Sequence, residues 1–292
     1  MDTGYLQIIQ RVDANSGAGE IYLFSRGFSF SGDGNYLFSS SPAVWIDGVG
    51  YASTLTGFAR RELSTPFDLS TMSAPVSVRG PLVAGGGKVL TVQNNGSDLV
   101  YCDTTYGRLY HAQLSVPYDL TSMVYSDHKT TLLGDYGISF SEDGLSCVTC
   151  SSFGEQFKSH TLSAPFVVSG MTSSPAVSGL TNGLESLFFM SKNGSRLYVF
   201  GSVPDVGTRF IICDLASPWD VSAMTIREVF SLPEEIYDYC WPLGVFVDDE
   251  ESFVIASAKT DSTGSATRLY KFSINRPKGQ FWTNFAGQTE IV

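Results

Sequence analysis

Leu63-Ser64-Thr65-Pro66-Phe67-Asp68-Leu69-Ser70-Thr71-Met72 is one copy of a phrase that returns along the chain. Its form is L-[SA]-x-P, an aromatic, then D-[LV]-[ST]-x-M. Further copies run over 114–123 and 215–224, a looser one over 162–171, and a remnant survives as Ile274-Asn275-Arg276-Pro277. From Pro66 it is 51 residues to Pro117, then 48 to Pro165, 53 to Pro218 and 59 to Pro277. In the first four copies the Met follows the Pro by six residues. A period of this size marks a propeller or an array with one supersecondary unit per repeat.

A second signal sits inside each unit: an apolar run, a polar turn and another apolar run. Phe28-Ser29-Phe30-Ser31 leads into Gly32-Asp33-Gly34 and then Tyr36-Leu37-Phe38. Ile138-Ser139-Phe140-Ser141 leads into Glu142-Asp143-Gly144, and Phe188-Phe189-Met190-Ser191 into Lys192-Asn193-Gly194. In the second unit the turn is expected at Gly85-Gly86-Gly87, between Leu82-Val83-Ala84 and Val89-Leu90-Thr91-Val92. In the fifth it is expected at 248–251, before Phe253-Val254-Ile255. Asp-Gly and Asn-Gly suit tight hairpins that need positive φ, and β-branched and aromatic residues suit the flanking strands. Each unit therefore reads as strand A, tight turn, strand B, variable loop, strand C, the phrase turn and strand D. Strand C is clearest at Arg108-Leu109-Tyr110-His111-Ala112-Gln113-Leu114.

The expected fold is all-β, a single five-bladed propeller over 1–292 built of four-stranded antiparallel blades. Its units are 27–80, 81–132, 133–180, 181–232 and 233–292. Residues 4–12 stand before the first strand A and are expected to close the ring as the missing strand D of the last unit; residues 281–292 are the alternative.

Composition narrows the function. A net charge of −11 argues against a nucleic-acid partner, which needs clustered Lys and Arg, and against anionic membrane surfaces. No apolar run approaches the roughly 18 residues of a membrane span, so no membrane insertion is expected. The N-terminal residues lack a basic and apolar leader, so no secretory signal is expected. The five cysteines are scattered and read as buried small apolar residues of a chain made in a reducing cytoplasm.

The phrase turn has a structural reading. Pro presets φ, the Asp two residues on (Asp68, Asp119, Asp220) accepts from following amides, and the aromatic (Phe67, Tyr118, Phe166, Trp219) and Met plug the space between blades.

"LSTPFDLSTM" after a strand such as "RLYHAQ", alternating with "FSFSGDGNYLF", resembles the propeller-like repeats of tailed-bacteriophage virion proteins and of related proteins in environmental bacteria. The resemblance covers about residues 27–277. It implies a tail-associated structural or host-adhesion component, assembled in the host cytoplasm and carried in the virion. Its partners would be other virion structural proteins and a host surface glycan. The fifth unit departs from the pattern at Pro277-Lys278-Gly279, which lacks the aromatic, the Asp and the Met.

Chemistry-bearing patterns are weak. Cys147-Val148-Thr149-Cys150 has no second pair to complete a zinc site, and on a strand its cysteines point to opposite faces. Residues 13–20 lack the final Glu of a calcium loop. Residues 248–251 read as a solvated turn. His111, His128 and His160 lie near no nucleophile elbow, and His111 and His160 read as surface residues of strand C. No catalytic residue, metal or cofactor is expected. The enzymatic alternative is a glycan-cleaving propeller, for which Asp135 and Glu185, at matching places before their turns, are the candidate carboxylates. A protein-interaction scaffold is a third class.

The variable loops at the B–C and D–A connections are rich in aromatics and acids. Trp45, Asp47, Asp103, Tyr106, Asp135, Tyr136, Glu185, Tyr237, Tyr239 and Trp241 form the expected binding face. Aromatics stack on sugars or anchor protein contacts, and acids accept hydroxyl hydrogen bonds.

Overall fold

A computed structural model describes residues 4–13, 28–41, 44–46, 50–52, 57–79, 87–103, 108–130, 135–151, 156–178, 180, 187–203, 207–233, 242–248, 251, 253–259, 267–276, 282–283 and 289–290. β1 (Gly4–Asp13) precedes the first unit. Unit one holds β2 (Phe28–Phe30), β3 (Tyr36–Ser41), a side hairpin of β4 (Val44–Ile46) and β5 (Gly50–Ala52), then β6 (Gly57–Glu62) and β7 (Val76–Arg79). Unit two holds β8 (Gly87–Gln93), β9 (Asp98–Asp103), β10 (Arg108–Leu114) and β11 (Met123–Thr130). Unit three holds β12 (Asp135–Phe140), β13 (Ser146–Ser151), β14 (Gln156–Thr161) and the short β15 (Thr172–Ser173) and β16 (Val177–Ser178). Unit four holds β17 (Leu187–Met190), β18 (Arg196–Val203), β19 (Gly207–Ser217) and β20 (Asp220–Ser231). Unit five holds β21 (Pro242–Val247), β22 (Phe253–Lys259), β23 (Thr267–Asn275) and the pair β24 (Trp282–Thr283) and β25 (Thr289–Glu290).

The chain is all-β, and its four main sheets are set out like the blades of a propeller. Three are the meanders of units one, two and three. The fourth runs β17-β18-β19-β20-β1-β23-β22-β21. Within it β1 lies antiparallel to β23 from Tyr5↔Asn275 to Asp13↔Arg268, and touches β20 in parallel only at Gly4↔Phe230 and Tyr5↔Ser231.

The turn of unit two differs from the expectation. β8 is strand A, and the hairpin lies at Asn94-Asn95-Gly96, with φ of +52° at Asn95 and +91° at Gly96. Three consecutive glycines looked like the better turn, but Gly87 already pairs with Asp103 in the ladder. Asn tolerates positive φ well enough to share the turn with one Gly.

The core lies between units. Strand B is buried on both faces, so it reads as a continuous apolar run. Leu99 and Tyr101 pack toward unit one with Phe38 and Phe58, while Val100 and Cys102 pack toward unit three with Ile138 and Phe140. A further cluster joins Phe28, Phe30, Leu37, Leu63 and Leu69 of unit one to Leu269 of unit five. Each fully buried aromatic of this kind contributes about 1.5–3 kcal/mol.

The phrase turn locks each unit internally and to its neighbour. Its aromatic adopts positive φ: +56° at Phe67, +64° at Tyr118, +57° at Phe166 and +63° at Trp219. Bulky residues avoid this region by about 1–2 kcal/mol. The strain is held by a backbone bond in which each aromatic amide donates to the carbonyl of its unit's turn glycine, as Tyr118 does to Gly96 at 2.9 Å and Phe166 to Gly144 at 3.0 Å. The ring then covers that glycine: a Cβ on Gly144 would lie 2.6 Å from the Phe166 ring. The expected caps are present, since Asp68 accepts from the Ser70 amide at 3.0 Å, Asp119 from Thr121 at 2.9 Å and Asp220 from Ser222 at 2.9 Å.

Toward the neighbour, the residue six before the Pro reaches the next phrase turn in units one, two, three and five. Arg60 Nη1 donates to Tyr118 O at 2.8 Å, Lys271 Nζ donates to Phe67 O at 3.1 Å, and Ser159 Oγ accepts from the Val221 amide at 2.9 Å. His111, at the same place, lies 6.2 Å from the Phe166 ring. The Tyr118 ring stacks on Tyr36 at 4.8 Å and Phe67 on Phe246 at 5.4 Å, so the aromatics do plug the space between units.

Candidate functional site

Strand A of each unit alternates. Six and four residues before the turn position stand Phe28 and Phe30, Leu90 and Val92, Ile138 and Phe140, Phe188 and Met190, and Val245 and Val247, all buried between units. Period two turns the intervening residue the other way. These residues are Ser29, Thr91, Ser139, Phe189 and Phe246. The innermost strands neighbour one another in the order β2, β8, β12, β17, β21 and back to β2. All five residues accordingly line one axial cavity of about 300 Å³.

Its wall is divided by chemistry. Units one to three contribute hydroxyls. Units four and five contribute phenyl rings, Phe189 and Phe246, with centroids 5.0 Å apart and planes at 58°. Gln93 Nε2 donates to Thr91 Oγ1 at 2.8 Å. At the three inner registers no strand A residue is titratable. Among the described residues of the lining, charge appears toward the turn end, as Glu142, Lys192 and Asp248. Sequence reading missed this register, although counting five residues back from each turn glycine would have found it.

Of the expected binding residues, the structure describes four, and none of these is among the cavity-lining residues. Trp45 is on β4, Asp103 ends β9, and Asp135 and Tyr136 open β12, at strand ends away from the A–B turns. Asp47, Tyr106, Glu185, Tyr237, Tyr239 and Trp241 lie outside the described residues. Of the candidate carboxylate pair, only Asp135 is placed.

Two histidines differ from expectation. His111 and His160 are on strand C but are 4 % and 5 % exposed, not surface residues. His111 Nε2 meets Asp98 Oδ1 at 2.7 Å and Nδ1 meets Ser126 Oγ at 2.9 Å. These are the residue types of an acyl-transfer triad. However, they sit side by side on β9, β10 and β11, and Ser126 Oγ also donates to His111 O at 3.1 Å. Unit three repeats the line as Thr149, His160 and Ser173, with both contacts at 2.8 Å. A threonine cannot replace the aspartate of a triad, so both lines are straps across a sheet. Burial, then Lys158 and Lys129, lower the His160 pKa to about 4.

Glu251 also departs from the solvated turn expected at 248–251. It is 5 % exposed and takes the place of the turn glycine, with φ of +54°. Its amide donates to Asp248 O at 3.0 Å, as Gly34 does to Ser31 O at 2.9 Å. The phrase aromatic is missing in this unit, so a side chain is tolerated. It accepts from Arg196 Nη1 at 2.6 Å, Tyr198 Oη at 2.8 Å and Arg276 Nη2 at 2.6 Å. Burial alone would push the Glu251 carboxyl up; Tyr198, Arg196 and Arg276 outweigh it and hold the group below its ordinary value. Asp249 and Glu250 lie outside the described residues.

Cys102, Cys147, Cys150 and Cys213 are buried, and Cys147 and Cys150 enter different clusters, as opposite faces require. Burial pushes the Cys213 thiol up to about 12. Among the described residues no group of three His, Cys, Asp or Glu could hold a metal ion.

No protein-family model and no curated protein matches the chain. Among solved structures, one described as a functionally unknown protein from Desulfotomaculum acetoxidans is 8 % identical over 93 % of this chain and 78 % of its own, at TM-score 0.49. The Pseudomonas aeruginosa periplasmic gluconolactonase is 13 % identical over 90 % of this chain and 67 % of its own, at TM-score 0.49. The β-propeller domain of Cps50 (Swd1) from Myceliophteria thermophila is 12 % identical over 85 % of this chain and 83 % of its own, at TM-score 0.45. At these scores the likenesses bear on neither ligand nor activity.

Proposed function

We propose that the protein is a non-catalytic binding and assembly component, a five-bladed propeller serving as a tail-associated part of a bacteriophage particle. It would dock on other virion proteins and touch a host surface glycan. The observation that carries the non-catalytic reading is the axial register Ser29, Thr91, Ser139, Phe189 and Phe246, which offers hydrogen bonds and stacking but no acid or base. The phage assignment rests on the repeat phrase.

The count of five follows from reading the eight-stranded sheet as two meanders, β17 to β20 and β21 to β23 with β1 as the outer strand. Support comes from a shared irregularity. β11 gains one residue against β10 between His111 and Ala112, and β20 gains one against β19 between Ile212 and Cys213. β1 gains one against β23 between Ile8 and Gln10, at the matching distance from the phrase Pro. β1 thus carries the bulge of a strand D.

Mass spectrometry on purified particles tests the function. The chain is expected at a fixed copy number per particle, with no turnover of surface polysaccharides by the isolated protein. Absence from particles, or turnover, overturns the reading.

A further inference from the structure

We propose that the axial cavity binds one neutral, polyhydroxylated ring of hexose size, its apolar face on Phe189 and Phe246 and its hydroxyl edge toward Ser29, Thr91 and Ser139. This deepens the binding reading above and rests on it.

Three features select the ligand class. The first is size: about 300 Å³ is at the lower end of the roughly 300–1,000 Å³ range of small-molecule pockets. That suits a single ring and excludes an internal segment of a branched glycan. The second is the absence of titratable side chains at the inner registers of strand A. A carboxylate, phosphate or ammonium entering there would lose its hydration without a partner. The third is the division of the wall. A purely apolar ligand would cover the three hydroxyls and offer them nothing beyond the bonds that Ser29 Oγ makes to Phe30 O at 3.4 Å and that Thr91 Oγ1 accepts from Gln93, at the cost of further hydrogen bonds left unmade. A linear polyol would gain nothing from the phenyl pair. A sugar ring has a C–H face for Phe189 and Phe246 and equatorial hydroxyls at its edge. Thr91 already accepts from Gln93 at 2.8 Å, which leaves its own hydroxyl proton to donate to the ligand.

The division follows the repeat order. Hydroxyls stand at one register in units one, two and three, and phenyls in units four and five. The turns, phrase aromatics and flanking apolar positions are by contrast nearly uniform. Scaffold requirements explain the uniform positions. Phe189 and Phe246 sit half-buried at a place where Ser29 shows that a small polar residue also fits the strand. The asymmetry is what a ring with one apolar face and one polar edge requires.

The test titrates the full chain, carrying ¹³C-methyl methionine, with glucose, galactose, mannose and N-acetylglucosamine, and separately with glucuronate and indole. Met190 lines the cavity, so its methyl resonance is the reporter. At least one neutral sugar is expected to shift it saturably, with indole and glucuronate weaker. Thr91→Val and Phe246→Leu, which keep shape but remove a hydroxyl or a ring, are each expected to weaken binding by about tenfold, the effect of losing one good ligand contact. If either variant fails to fold, the Met190 shift in the unaltered chain still decides. The proposal is overturned if no neutral sugar binds, if indole or glucuronate binds better, or if a sugar binds without moving Met190. In each of those cases the particle-composition measurement still decides the virion reading on its own.

Discussion

Gln10 holds Asp68 across 58 residues of chain: its Nε2 donates to Asp68 Oδ1 at 2.7 Å, while its Oε1 accepts from the Leu69 amide at 3.1 Å. Gln10 stands opposite Lys271 as Asp127 stands opposite His111. Asp127 likewise reaches the next phrase turn, accepting from the Ser169 amide at 2.8 Å. A residue of β1 therefore does for units five and one what a strand D residue does for units two and three. Gln10→Ala removes two hydrogen bonds and is expected to cost about 2 kcal/mol, a drop of several degrees in Tm for a chain of this size. Ser70 first and then Gln10 hold the Asp68 carboxyl below its usual range, so in the variant it titrates higher, as NMR of the side-chain carboxyl would show.

Gly144→Ala meets two obstacles. The glycine lies at φ of +69°, and the new Cβ would sit 2.6 Å from the Phe166 ring. Backbone strain of about 1 kcal/mol adds to displacement of a buried ring, for a total of about 3 kcal/mol. Adding Phe166→Ala should cost less than the sum of the two single changes, because the ring is no longer there to clash. Thermal denaturation of the two single variants and the double variant measures this coupling; strict additivity would contradict the account.

Glu251→Ala leaves Arg196 and Arg276 facing each other without their shared carboxylate. Removing one partner of a buried pair costs about 3–5 kcal/mol. The lower end applies, since both arginine side chains are 32 % exposed. Glu251 also makes stability depend on acid. Its folded pKa is lowered, so its contribution is complete above the unfolded value near 4.3 and is lost as pH falls below it. In Glu251→Gln this part of the acid dependence should vanish from urea denaturation curves.

His160 acts in a different window. Its folded pKa is lowered to about 4, against about 6.5 unfolded. Between those values the unfolded chain binds the extra proton. Stability is therefore fully present above pH 6.5, falls as pH drops to about 4, and loses about 3 kcal/mol from this group. His160→Gln keeps a side chain able to bond Thr149 and Ser173 while removing the titration. Its stability should be flatter with pH across that window, as unfolding at pH 7, 5.5 and 4.5 would show.

The repeat was legible because two separate residue types, Pro at the phrase and Gly at the hairpin, each answer to one backbone requirement. The aromatic–glycine contact was not, since nothing in Phe67 or Gly34 alone says that one covers the other. In unit two the visible Gly85-Gly86-Gly87 outweighed Asn94-Asn95-Gly96, because composition shows which residues tolerate positive φ but not which of them the ladder has already used. Burial of Glu251 was hidden by three acidic neighbours; the missing phrase aromatic in its unit was the sign that a side chain had room. The axial register was hidden because Ser29 and Phe246 share a position and no chemistry. The expected loop face, Trp45 to Trp241, rests on variability between units, and variability there says nothing about the axis.

Native-state hydrogen exchange of β1 tests the closed ring most directly, and both the cavity and the latch at Gln10 depend on that ring. If β1 is the outer strand of unit five, the amides of residues 6–12 should exchange with opening free energies close to those of β22 and β23, and the two groups should respond together to denaturant. If residues 6–12 exchange at the rate of a free chain end while β22 and β23 stay protected, the ring is not closed by this strand.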